Sequence, residues 1–140
     1  MDTPLTLEVA RTVLDGQPFS RLLGTRLLSF GDGAAELALE IRDDLRQQFG
    51  YVHGGVLAYL VDNTVTFAAG TALGPAVLTG GFSVSYLAPA QGRELRSRAS
   101  VVHATKRQAV CRCDVVAIDG DGAETLCATG QGTVVASARP

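Results

Sequence analysis

The stretch HGGVLAYLVDNTVTFAAG, residues 53–70, decides how the rest of the chain must fold. Its apolar residues fall at nearly every angle of a helical projection, which predicts a helix buried on all sides. Yet Asp62 stands in its middle and His-Gly-Gly at its start. A structural aspartate favours a helix end, where it caps free N–H groups. Asp62 instead has Ala58, Tyr59, Val65 and Thr66 as its three- and four-residue neighbours, so it projects from an apolar stripe. Burial there disfavours the ionised form and makes the carboxylate a better base near neutral pH. Residues 54–73 are long enough to cross a bilayer, but Asp62 alone would cost roughly 2.5–3.5 kcal/mol at a span's centre. Asn63 and three threonines add to that cost. The sequence predicts a soluble, cytoplasmic protein with no membrane partner.

Working outward, TPLTLEVARTVLD places Leu5, Val9 and Val13 at helical spacing, with Gly16 as the stop. Residues 1–18 are thus predicted as an N-terminal helical segment. Strands follow at 24–31 and 33–41, joined by GDG, a hairpin signal. In the second, Ala35, Leu37, Leu39 and Ile41 alternate with Glu36 and Glu40, the period of a half-buried strand. RDDLRQQFGYVHGG predicts a loop with one helical turn. Beyond the long helix, four strands are predicted at 76–87, 93–104, 107–118 and 123–137. No second long helix separates them, so the sheet is expected to be antiparallel and the four strands a meander. The fold class is α+β in one domain spanning 1–140, a curved sheet around one long helix. One sheet covers one side of such a helix; a second subunit is the expected cover for the rest.

Composition excludes several functions. The 140 residues are 46% hydrophobic and 19% charged with net charge −2, and no basic footprint for nucleic acid exists. Arg93, Arg96, Arg98, Arg107 and Arg112 read as solvated strand positions, of which one or two could meet a phosphate. Cys111, Cys113 and Cys127 are odd in number and hold a single C-x-C, which argues against a disulfide framework or zinc site and for buried thiols in a reducing compartment. The N-terminus lacks the basic region and apolar run of a signal peptide.

The order of elements, with GYVHGGVLAYLVD, resembles the hotdog-fold acyl-CoA thioesterases, in the branch of the phenylacetyl-CoA thioesterases of phenylacetate degradation. Their pattern is Asn or Gln, then G-x-x-H-G-G, then an acid nine residues after the His. Gln47, Gly50, His53, Gly54, Gly55 and Asp62 fill it. The likeness spans roughly residues 20–137, and Gln47 departs from the Asn of many relatives. It implies an oxyanion donor at Gly54, a loop-holding His53 facing the thioester, and Asp62 as nucleophile or general base. It also implies sites shared between the chains of a homodimer or homotetramer.

Beside the resemblance stand the residues' own chemistries. A helix start offers unpaired N–H groups and partial positive charge to a carbonyl oxygen, and Gly54 and Gly55 leave it room. Gln47 can donate to that carbonyl or to water. Thr66, one turn from Asp62, can reach the same water or bond back to its own helix. Thr79 aligns with a hydroxyl that some relatives place near the attacking water. Tyr59, Val65 and Ala69 are expected to line the acyl pocket with Phe82 closing it, and Lys106 and Arg107 to meet the CoA phosphates. The expected activity is hydrolysis of an aryl- or medium-chain acyl-CoA to free acid and CoA, with no metal and no cofactor beyond the substrate's own coenzyme A. The alternative is a non-catalytic acyl-CoA-binding hotdog module; a hotdog dehydratase lacks its expected His and acid pairing here.

Overall fold

The computed structural model describes residues 5–137. The chain opens on α1 (Leu7–Asp15) and α2 (Pro18–Leu23), then folds the hairpin β1 (Arg26–Gly31) and β2 (Ala34–Glu40). A 3₁₀ turn at Asp43–Leu45 leads to α3 (Gly54–Leu73), followed by β3 (Val77–Tyr86), β4 (Glu94–Ala104), β5 (Gln108–Ile118) and β6 (Glu124–Ala136). The hairpin signal acts as expected: Asp32 and Gly33, at φ 53° and 78°, make a two-residue turn with both central residues left-handed. Sequence reading missed α2, which Pro18 restarts after Gly16 and Gly24 closes at φ 76°.

All six strands form one antiparallel sheet in the order β1-β2-β4-β5-β6-β3. This is the hotdog arrangement, a sheet curved around α3, and it corrects the predicted meander. β3 pairs with β6 at the far edge, and β2 takes its place beside β4. Consecutive strands need not be neighbours, and local pattern does not say which edge a strand joins. The link at 87–93 crosses three strand spacings, about 14 Å, well within its extended reach of roughly 23 Å.

The helix lies on the sheet through Leu60, Val61, Val65 and Ala68, none of them accessible. It comes so close because β6 carries glycines where it passes. A Cβ at Gly130 would sit 2.7 Å from Val61 Cγ1 and 2.5 Å from the Ser83 carbonyl oxygen; one at Gly132 would sit 2.8 Å from Val65 Cγ2. The carbonyl belongs to the β3 backbone and cannot step aside. Gly130→Ala should therefore destabilise the fold by about 1–3 kcal/mol through overpacking, seen as a lower urea midpoint at unchanged m-value.

The helix is not buried on all sides, contrary to its apolar projection. Tyr59, Asp62, Asn63 and Thr66 form a half-buried stripe away from the sheet. The same chain covers part of that side. Phe19 of α2 meets Tyr59 edge-on at 5.4 Å, and Phe30 of β1 meets Phe67 at 6.4 Å. The three cysteines are buried and free. Burial pushes the Cys111 thiol up to about 11 and the Cys113 thiol up to about 12, so both stay protonated and unreactive at neutral pH.

Candidate active site

The predicted residues fall into two clusters along α3. The first surrounds the helix start. His53 is the N-cap, and its Nδ1 accepts the Gly55 N–H at 2.8 Å. An accepting Nδ1 puts the ring proton of the neutral imidazole on Nε2. The Val56 N–H goes to the His53 carbonyl. Gly54 is then the first-turn N–H with no partner among the described residues, a donor backed by the helix dipole. The glycines answer to a local need as well. A Cβ at Gly54 would lie 3.2 Å from the Tyr86 ring, and one at Gly55 3.0 Å from His53 Nδ1.

Gln47 shares a surface depression with Gly54 and Tyr86. Its Oε1 accepts the N–H groups of Phe49 and Tyr51 and so folds its own loop. That fixes the side chain and leaves the amide nitrogen as its free donor. Tyr86 donates its hydroxyl to the Gly54 carbonyl at 3.0 Å. Sequence reasoning missed Tyr86, which arrives from β3, 32 residues on; the pairing of β3 with β6 brings it there, and no local signal announces it.

The second cluster is built on Asp62. The Thr79 hydroxyl donates to Asp62 Oδ1 at 2.6 Å. Thr66 Oγ1 lies 2.9 Å from Thr79 Oγ1 and 2.8 Å from the Asp62 carbonyl oxygen. Thr79 gives its proton to the carboxylate, so Thr66 divides its own between the Thr79 oxygen and the helix backbone. Asp62 is half-buried rather than enclosed, held from one side by a hydroxyl and open on the other. The arrangement can present a fixed carboxylate oxygen to water or to an acyl carbon.

Other predicted residues lie elsewhere. Tyr59 turns from Asp62 toward the N-terminal segment: its hydroxyl donates to Thr25 Oγ1 at 2.8 Å and bonds Ser20 and Asn63. Val65 and Ala69 are sealed from solvent in the core. Phe82 is 42% exposed on the β3 edge. Of the residues expected to line the acyl pocket, Tyr59 is thus taken up by the N-terminal segment and Val65 by the sheet, while Phe82 stays exposed. Lys106 and Arg107 sit exposed in the β4–β5 turn, where the Arg107 carbonyl takes the Ala136 N–H. Ala136 pairs with Val77, so the two cations lie at the Val77 end of β3 and not at the Tyr86 end beside Gly54.

Two of the clustered arginines are committed to structure. Arg98 bonds Glu124 and Glu36, and Arg96 bonds Glu94. Burial opposes ionisation of Glu94, but hydrogen bonds from Arg96 and Arg26 outweigh it and hold the carboxyl below its usual range. No group of three or more His, Cys, Asp or Glu able to hold a metal occurs among the described residues.

Residues 49–124 match the family model described as the Thioesterase superfamily. A thioesterase family protein from Silicibacter pomeroyi is 32% identical with a TM-score of 0.84, over 90% of this chain and 93% of that one. A mutant of the phenylacetic acid degradation protein PaaI from Thermus thermophilus is 31% identical with a TM-score of 0.76, over 86% and 100%. A 1,4-dihydroxy-2-naphthoyl-CoA hydrolase of Listeria monocytogenes is 28% identical over 86 residues, 60% of this chain and 70% of that protein. The chain belongs to the thioesterase superfamily and is a thioester hydrolase of the hotdog fold.

Proposed function

We propose that the protein hydrolyses an aryl- or medium-chain acyl-CoA to the free acid and CoA in the cytoplasm, with no metal or redox cofactor, at sites shared by two subunits. The observation that carries this reading is the separation of the two clusters. Gly54 and Asp62 lie eight residues apart on one helix, about 12 Å along its axis. A thioester whose oxygen rests on the Gly54 N–H is out of reach of the Asp62 below it. A second copy brings the halves together. β3 is an edge strand with no strand on its outer side among the described residues; it exposes Leu78, Phe82 and Tyr86, and Leu87 just after it is exposed too. A long apolar edge of this kind is a template for pairing. With two copies joined there, the Gly54 N–H polarises the carbonyl while Asp62 of the partner subunit supplies the attack, directly or by deprotonating water. The amide of Gln47 is a second donor near the oxygen. Water is added across the C–S bond, and the sulfur leaves as the thiol of CoA.

Support for an aromatic or middle-sized acyl group comes from the relatives named above, one a 1,4-dihydroxy-2-naphthoyl-CoA hydrolase and one a phenylacetic acid degradation protein. A panel of acyl-CoA and acyl-carrier thioesters, followed by thiol release, tests the proposal. The value of kcat/KM is expected to rise about tenfold or more from acetyl-CoA to hexanoyl- or phenylacetyl-CoA, since each buried CH₂ gains about 0.8 kcal/mol. Binding without thiol release would favour the non-catalytic module. A flat profile would remove the substrate class, and an active monomer in light scattering would remove the shared site.

A further inference from the structure

Two glycines in succession, Gly54 and Gly55, begin α3. Glycine loses more backbone freedom on folding than any other residue, so such a start is poorly able to hold its own shape. An oxyanion donor, however, works only when it is fixed before the carbonyl arrives. The rigidity has to come from outside the turn, and Tyr86 is placed to supply it. A Cβ on residue 54 would come within 3.2 Å of the Tyr86 Cζ and Oη, so the glycine is what admits the ring. The Tyr86 backbone is anchored at the end of β3: it lies opposite Ala128, and the next N–H, of Leu87, bonds the Cys127 carbonyl at 2.8 Å. The Tyr86 hydroxyl donates to the Gly54 carbonyl at 3.0 Å. That carbonyl and the Gly55 N–H are the two ends of one planar peptide unit. The Gly55 N–H in turn donates to His53 Nδ1 at 2.8 Å. A chain of hydrogen bonds thus runs from the tyrosine through the peptide to the imidazole.

We infer that Tyr86 is a positioning residue for the oxyanion donor, gripping the Gly54–Gly55 peptide unit from β3 and, through it, keeping the Gly55 N–H on His53 Nδ1; the inference rests on the acyl-CoA reading above. Donation into one end of an amide polarises it and strengthens the bond made by the other end. The grip has two consequences. An N-cap side chain can satisfy one first-turn N–H; with His53 committed to Gly55, the Gly54 N–H is the one left for a substrate oxygen. The imidazole is also held with Nδ1 as acceptor and its proton on Nε2, so it offers a donor to its surroundings. Tyr86 acts through these groups and has no need to touch the thioester. Its own side chain is half-exposed, so the burial of the ring is not what keeps it there.

Tyr86→Phe keeps the ring and removes only the hydroxyl. Thermal unfolding and light scattering verify that the variant is folded and assembled. The chain has two histidines, so protein labelled with nitrogen-15 histidine gives two ring spectra, and His103→Gln assigns them. Wild type is expected to show His53 with its proton on Nε2 and an accepting Nδ1. In Tyr86→Phe the two nitrogen signals of His53 should move toward each other as the tautomers begin to mix. The kcat for phenylacetyl-CoA should fall about three- to tenfold, the rate equivalent of one ordinary hydrogen bond, with KM held within about twofold. An unchanged His53 spectrum, or an unchanged kcat, in the folded variant overturns the inference. A loss confined to KM also overturns it, because the hydroxyl would then bind the substrate directly. Those three outcomes leave the wild type active and the thioesterase reading standing. A wild type that releases no CoA from any acyl-CoA removes that reading and the inference with it.

Discussion

Asp62→Asn is expected to lower kcat by at least ~10³-fold for every acyl-CoA the enzyme accepts, in line with loss of a general base or nucleophile. The change is close to isosteric. The amide oxygen of the introduced asparagine can still accept the Thr79 hydroxyl now 2.6 Å from Oδ1, so the helix, the β3 contact and the oligomer should be unaltered. What disappears is the negative charge, and with it the ability to take a proton from water or attack an acyl carbon. Single-turnover assays with phenylacetyl-CoA, beside matched unfolding curves, check both halves of the claim. Turnover within a few-fold of wild type would show that Asp62 has a structural role and that the chemistry lies elsewhere.

Gly54→Pro should cost about 10²–10³-fold in kcat, the usual loss for one oxyanion donor. Proline deletes the N–H while leaving the helix able to form. Gly54 is the first helical residue, where proline is favoured, and His53 already holds φ −59° and ψ 136°, as a residue before proline must. The new Cβ meets the Tyr86 ring end 3.2 Å away, an exposed side chain that can swing outward. Mixing the two variants tests the architecture. If each site takes its donor from one chain and its carboxylate from the other, an Asp62→Asn and Gly54→Pro pair holds one intact site and one doubly broken one. Random reassortment of equal amounts across an isologous dimer interface would then return about a quarter of wild-type activity from two nearly dead proteins. No recovery after confirmed subunit exchange would mean that both groups act within one chain.

The sequence determined the elements and singled out the residues on which the proposed chemistry rests. Periodicity located the long helix, the hairpin and all six strands to within about two residues, because side-chain period follows directly from backbone geometry. The same reading picked out Gly54 and Asp62, because a helix start and a mid-helix carboxylate are anomalies visible along the chain. Only the tertiary structure decided which strands are neighbours and which way each side chain faces. β3 crosses to β6, and that carries Thr79 to Asp62 and Tyr86 to Gly54. Tyr59 satisfies its hydroxyl against the N-terminal segment instead of lining the site, and α2, unread in the sequence, makes that possible. An all-round apolar helix does not say which of its faces the sheet will take. That choice is made by β6, whose Gly130 and Gly132 admit Val61 and Val65 and leave Asp62 turned outward. Local pattern fixes what each segment is; long-range packing, which a linear reading cannot sum, fixes what it meets.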